Sequence, residues 1–162
     1  MVKGKTNDQE EPYTLSLMTK RGQRRTTTEE SRTIERFRPR HGRRNSVAER
    51  AVERAGIGAN LDIIGYTTLA QARELGRRLS LRPGMLLLDL GCGRGHPGLF
   101  LACATRCTVV GSDLPVASLK AAARRAARER TSRRVSFVSA SAVRLPFASE
   151  SFDAIVHTDV LC

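Results

Sequence analysis

The chain shows two regimes of apolar and polar positions. From residue 85 onward, short apolar runs of strand length alternate with segments whose apolar residues fall at helical spacing. Residues 85–90 form a nearly continuous apolar run broken only by Asp89, the pattern of a parallel strand buried on both faces. Residues 107–112, 134–138 and 152–157 predict three further strands. Pro97 sits where a first helical residue belongs, ahead of Gly98, Leu99 and Phe100. Leu119, Ala122, Ala123, Ala126 and Ala127 mark the buried stripe of the next helix. This rhythm predicts an α/β fold: a three-layer, Rossmann-like sandwich with a mostly parallel sheet of about four strands. By order of appearance the strands are expected in the order 3-2-1-4, with helices on both faces.

Upstream, residues 46–80 read as two helices. Ser46 caps the first, which carries Val47, Ala51, Val52 and Ala55 and is expected to end at Gly56. The second runs over 68–79, with Leu69, Ala72, Leu75, Gly76 and Leu79 on one face. Residues 1–45 are polar and charged without a sustained period. From Lys20 to Arg44 there are ten Lys/Arg against three Glu. Such a segment buries too little apolar surface to offset its ordering entropy, so 1–45 is expected to be a mostly disordered basic arm. A short helix over 28–37, capped by Thr28, is the one element foreseen there. The domain proper is then 46–162.

Length and composition fit one domain: 162 residues with 40% apolar content. No apolar run approaches the roughly 20 residues that cross a bilayer, and the first residues lack the apolar core of a secretory signal. No membrane partner is expected. Cysteines stand at 92, 103, 107 and 162 with no Cys-x-x-Cys pair, and there are three histidines. This predicts reduced thiols in a cytoplasmic protein and no metal site. The net charge of +12 opens a nucleic-acid contact for the arm, although Tyr13 and Phe37 are its only aromatics for base stacking. Arginines 124, 125, 128, 130, 133 and 134 read as a solvated helix face and the turn after it.

The sharpest local signal is Asp89-Leu90-Gly91-Cys92-Gly93-Arg94-Gly95. Alternating glycines directly after a buried strand allow a tight turn and close approach of backbone to a ligand. Asp113 ends the next strand, where an acid can accept both hydroxyl protons of a ribose. Gly93-x-Gly95-x-x-Gly98 also satisfies the dinucleotide fingerprint, but the glycines begin two residues earlier and an acid precedes them.

These residues resemble the class I S-adenosylmethionine-dependent methyltransferases. Asp89-x-Gly91-x-Gly93-x-Gly95 is similar to that family's first motif. Asp113 is similar to its ribose-binding acid, and residues 145–156, Leu-Pro-Phe through Phe-Asp-Ala-Ile-Val, to the stretch leading into its fourth strand. The resemblance covers about residues 60–162 and implies methyl transfer from S-adenosyl-L-methionine to an O, N or C nucleophile of a small molecule. It implies that Asp89 and Gly91 approach the methionine end of the cofactor and that Gly93 and Gly95 let the chain pass beneath it. Asp113 would hold the ribose, Leu114 would pack on the adenine, and Ser141 and Ala142 would reach its edge. Many relatives carry Asp where Ser141 stands. His157, at the end of the fourth strand, is the candidate on the substrate side. The family fold has seven strands and the fourth ends near Cys162 here, so a truncated, non-catalytic remnant is the alternative. An exposed fourth strand (Phe152, Ala154, Ile155, Val156) would then favour self-association.

Overall fold

The computed structural model describes residues 15–16, 26–41 and 43–159. In chain order the elements are β1 (Leu15–Ser16), α1 (Thr28–His41), α2 (Val47–Ile57), α3 (Leu69–Arg78), β2 (Leu86–Leu90), α4 (Gly98–Thr105), β3 (Thr108–Asp113), α5 (Val116–Arg128), β4 (Val135–Ser139) and β5 (Ala154–His157). All strand pairings are parallel, and the sheet order is β1-β4-β3-β2-β5. Leaving out β1, this is the 3-2-1-4 order expected from the sequence.

The central strand explains the packing. Leu87 and Leu88 point to opposite faces of β2, yet are 0% and 1% exposed, so both faces are covered there. Leu87 joins Leu101, Ala102, Cys107, Val109 and Val156 in one cluster. Leu99, Leu119, Ala122, Ala126 and Phe137 form a second cluster around Cys92. Helix α4 contributes to both, which accounts for a helix that is apolar nearly all round. Gly111 of β3 is required by closeness: a Cβ there would lie 2.7 Å from Phe137 Cδ1 and 2.9 Å from Cys92 Sγ.

Several expectations shift by local chemistry. Thr27, not Thr28, caps α1: the Thr27 amide donates to Glu30 Oε2 at 2.8 Å, and the Glu30 amide donates to Thr27 Oγ1. Helix α2 starts at the foreseen Ser46 cap but runs past Gly56. It ends where Gly58 takes a left-handed φ of 87°. Arg125, read as solvated, is 4% exposed, and its Nε donates to Glu129 Oε1 at 2.6 Å. The fourth predicted strand, β5, forms a sheet edge among the described residues. Of its apolar side chains Ile155 is 56% exposed, whereas Val156 is buried in the first cluster. Phe152 packs edge-on against Phe147 at 4.9 Å. The apolar exposure expected of this strand therefore falls on one side chain.

Within the basic arm expected over 1–45, the described residues hold two short elements. Residues 28–41 form a 14-residue helix, longer than the 28–37 foreseen, and Leu15–Ser16 pairs in parallel with β4. The reason is tertiary. The Arg94 side chain donates to the Arg40 and Arg43 carbonyls, contacts that no local pattern encodes. The remainder of that expectation, and Cys162, lie outside the described residues.

Candidate functional site

Strand β2 pairs with β3 on one side and β5 on the other. The chain order reverses at this strand, and in open α/β sheets such a switch point creates a crevice at the strand carboxyl ends. The glycine turn opens there. Gly91, Gly93 and Gly95 have φ of 72°, 51° and 85°, a region L side chains rarely adopt. The Gly91 and Cys92 amides both donate to the Ser112 carbonyl, at 2.7 and 3.1 Å, tying the turn to the end of β3. A Cβ at Gly95 would lie 2.7 Å from Leu99 Cδ1 and 3.3 Å from Ala122 Cβ. A Cβ at Gly93 would meet nothing within 4 Å. The turn is packed on one side and open on the other.

Two carboxylates frame it. Asp89 is 1% exposed, and its Oδ2 accepts from the Gly98 amide at 2.9 Å, at the start of α4. Burial pushes its carboxyl up to about 7; the Gly98 amide opposes this and the Asp113 charge adds to it. Asp113 is half-buried. Its Oδ2 accepts from the Gly93 amide and its Oδ1 from the Leu114 amide, both at 2.7 Å. Burial raises its carboxyl as well, against those two amides. Each Asp113 oxygen retains a lone pair, so the carboxylate is fixed in place and still able to accept hydroxyl protons.

The remaining predicted residues converge on the same end of the sheet. Asp113 pairs with Ser139 in register, and the Ser139 hydroxyl donates to the Leu114 carbonyl at 3.1 Å. Ser141 and Ala142 follow in a tight turn closed by the Arg144 amide on the Ser141 carbonyl. They follow directly on Ala140, whose amide donates to the Asp113 carbonyl at 3.1 Å. His157 lies opposite Leu90 in register, next to the glycine turn, and is exposed. Asp159 Oδ2 accepts from the Tyr66 amide at 2.8 Å and lies 3.4 Å from Thr67 Oγ1, tying the end of the chain described to the approach of α3.

Two neighbours were not legible in the sequence. Arg94 is buried within the turn. His96 is buried beside it, with Nε2 2.9 Å from the Thr67 carbonyl and Nδ1 without a partner among the described residues. A carbonyl only accepts, so Nε2 carries the proton. Burial, then the Arg125 charge, lowers His96 to about 4. His41, at the end of α1, is also lowered to about 4, by burial and then by Arg94 and Arg40.

These groups give the fold a signed pH dependence. The raised Asp89 takes up a proton in the folded chain before the unfolded one, so its contribution falls as pH rises from 3.8 toward about 7. The two lowered histidines behave oppositely, and their contribution is lost as pH falls from 6.5 toward about 4. Asp113, raised as well, sides with Asp89, so two carboxyls oppose two histidines and the wild-type stability is expected to change little between pH 6.5 and 4.5. Asp89→Asn removes one of the opposing carboxyls, so this variant is expected to lose stability on acidification relative to wild type. Melting curves of both chains across this range check it, and a variant whose melting temperature rises on acidification contradicts the assignment.

A glycine turn and a fixed acid at the carboxyl ends of a parallel sheet define a Rossmann-like domain of the nucleotide-cofactor-binding class. Comparison narrows the class: residues 87–162 match the methyltransferase domain family. Several sequence relatives and solved neighbours are named methyltransferases, among them a SAM-dependent methyltransferase from Geobacter sulfurreducens in complex with S-adenosyl-L-homocysteine, which agrees with the resemblance read from the motifs. The chain is 36% identical over 97 residues to methyltransferase GfsG of Streptomyces halstedii, covering 60% of this chain and 35% of that protein. A solved geranyl diphosphate C-methyltransferase from Streptomyces coelicolor A3(2), in complex with Mg2+, geranyl diphosphate and S-adenosyl-L-homocysteine, is 28% identical with a TM-score of 0.51. It covers 54% of this chain and 33% of its own. The [4+2]-cyclase SpnF is 30% identical with a TM-score of 0.51, over 57% of this chain and 35% of its own. The chain thus spans about a third of the length of these proteins. No helix among the described residues is long and apolar enough to cross a membrane.

Proposed function

We propose that this chain binds S-adenosyl-L-methionine and serves methyl transfer to a small-molecule acceptor. The observation that carries this reading is Asp113, whose carboxylate is clamped by the Gly93 and Leu114 amides beside the open side of the glycine turn. That arrangement fits a ribose diol and an extended ligand crossing Gly93. On this reading Asp89 and Gly91 face the methionine end. Leu114 packs on the adenine, and Ser141 and Ala142 reach its edge. His157, exposed at the end of β5, faces the acceptor side. When bound, the cofactor supplies an electrophilic methyl group on a sulfonium. The protein's part is to align two partners and exclude water, which requires no dedicated base. Small-molecule acceptors are supported by the neighbour solved with geranyl diphosphate. The free cysteines 92, 103 and 107 support a cytoplasmic location.

The deciding experiment is titration of the purified chain with S-adenosyl-L-homocysteine, followed by thermal melting. At a hundredfold excess over Kd, binding to the folded state adds about 2.7 kcal/mol and raises Tm by several degrees. No heat of binding and no Tm shift would sink the cofactor site. Because a similar fold is also found in a cyclase, fold alone does not fix the reaction. Binding without transfer of labelled methyl to any acceptor would keep the site and remove the transferase activity.

A further inference from the structure

We infer that Arg94 is a positioning residue that pins helix α1 across the cofactor turn, so that retention of bound cofactor depends on a helix outside the glycine motif. This rests on the cofactor reading above. Arg94 sits between Gly93 and Gly95 and is 4% exposed. Its Nη1 donates to the Asp62 carbonyl at 2.9 Å, Asp62 Oδ1 at 3.1 Å and Asn45 Oδ1 at 3.3 Å. Its Nη2 donates to the Arg40 carbonyl at 2.9 Å and to the Arg43 carbonyl. The Arg40 carbonyl lies in the last turn of α1, where carbonyls lack intrahelical partners and the dipole favours a cation.

A second contact reaches the opposite wall. His41 Nδ1 hydrogen-bonds the hydroxyl of Ser118, which is fully buried in the first turn of α5, just after Asp113, Leu114 and Pro115. Kept neutral by its surroundings, the His41 ring can accept that hydroxyl proton at Nδ1. The end of α1 therefore touches both the glycine turn and the element that follows the ribose acid. No residue of α1 is fully buried and Ile34 is its one partly buried apolar side chain, so apolar packing contributes little to holding the helix there. Its docking rests on these polar contacts, and a helix held this way is released when they are removed.

The test uses the full chain with Arg94→Gln, Arg94→Lys, His41→Ala and the Arg94→Gln/His41→Ala pair. Hydrogen exchange of the α1 amides and stopped-flow release of S-adenosyl-L-homocysteine are the readouts. Each single variant is expected to speed α1 exchange and to release the ligand about tenfold faster, about 1.4 kcal/mol. Arg94→Lys should not restore retention, because a lysine lacks the fork that reaches four residues at once. The pair should release the ligand no faster than Arg94→Gln alone, since both groups act through one helix. Unchanged α1 exchange overturns the pinning. Faster exchange with unchanged release overturns its link to cofactor retention. If the wild-type chain binds no ligand, the cofactor reading falls and the retention claim with it, while exchange still decides the pinning. If Arg94→Gln does not fold, His41→Ala and Ser118→Ala decide by the same two readouts.

Discussion

Asp113→Ala is expected to weaken S-adenosyl-L-homocysteine binding about a hundredfold, with the fold retained. A carboxylate that accepts from both hydroxyls of a ribose contributes two hydrogen bonds to a charged group, each about 1.5–3 kcal/mol. Part of that is recovered by water in the variant, which leaves roughly 3 kcal/mol, or two orders of magnitude. The substitution also removes the acceptor of the Gly93 amide, so the turn loses one of its anchors. The fold should survive because burial holds the Asp113 carboxyl above its ordinary value, and its ionised form is therefore no asset to the folded state. Asp113→Asn keeps the shape and one acceptor oxygen, and should fall between the two. Titration calorimetry on all three chains, with melting curves as control, measures this. Affinity within threefold of wild type for Asp113→Ala would remove Asp113 from the site.

The largest loss of stability is expected at Gly98→Ala. The added Cβ would stand 2.5 Å from Asp89 Oδ2, 3.2 Å from Asp89 Cβ and 3.1 Å from Val109 Cγ1. Asp89 cannot withdraw: it is 1% exposed and its Oδ2 holds the Gly98 amide itself. Relief requires moving α4 off the sheet or breaking that hydrogen bond. Overpacking costs about 1–3 kcal/mol and a buried acceptor left unpaired adds about 1–3 kcal/mol, so a loss of about 3 kcal/mol or more is expected by urea denaturation. Gly93→Ala is the contrasting case. It meets nothing within 4 Å but is held at φ 51°, so it should cost only about 1–2 kcal/mol of stability. Because its methyl group fills the open side of the turn, it should still impair ligand binding. Equal stability losses at the two glycines would show that the close packing of α4 on Asp89 is not what constrains position 98.

What the sequence revealed, and what it concealed, follows from the range of the interactions. Asp89, the three glycines of the turn and Asp113 were legible because each is fixed by a strand immediately before it. A five-residue apolar run, a forced turn and a strand-end acid are all local statements. The strand order followed from the same locality, since β2, α4, β3, α5 and β4 succeed one another as neighbours. Arg94 and His41 were not legible. Between glycines, an arginine reads as a solvated cation, and its partners Arg40 and Asn45 stand 54 and 49 positions away. His96 was hidden for the same reason, with its carbonyl partner 29 positions back. Arg125 misled because it borders the apolar stripe of α5 beside Ala122 and Ala126. Its burial depends on Glu129 one turn on, which compensates the charge. Two helix ends moved by one or two residues where two adequate caps compete, Thr27 against Thr28 and Gly58 against Gly56, whereas the far end of α1 ran on four residues to His41.

The Ser112 carbonyl, which takes both the Gly91 and Cys92 amides, has a wider meaning. It makes the turn after one strand and the acid after the next a single mechanical piece, since Ser112 directly precedes Asp113. On the proposed cofactor reading, changes in loops beyond that piece would reshape what lies opposite the ligand and leave the piece itself intact. Inheritance of such a piece lets descendants change acceptor, and even reaction, one loop at a time. A family organised this way should diverge fastest outside the stretch from Asp89 to Leu114, with selection acting on that stretch as one indivisible unit.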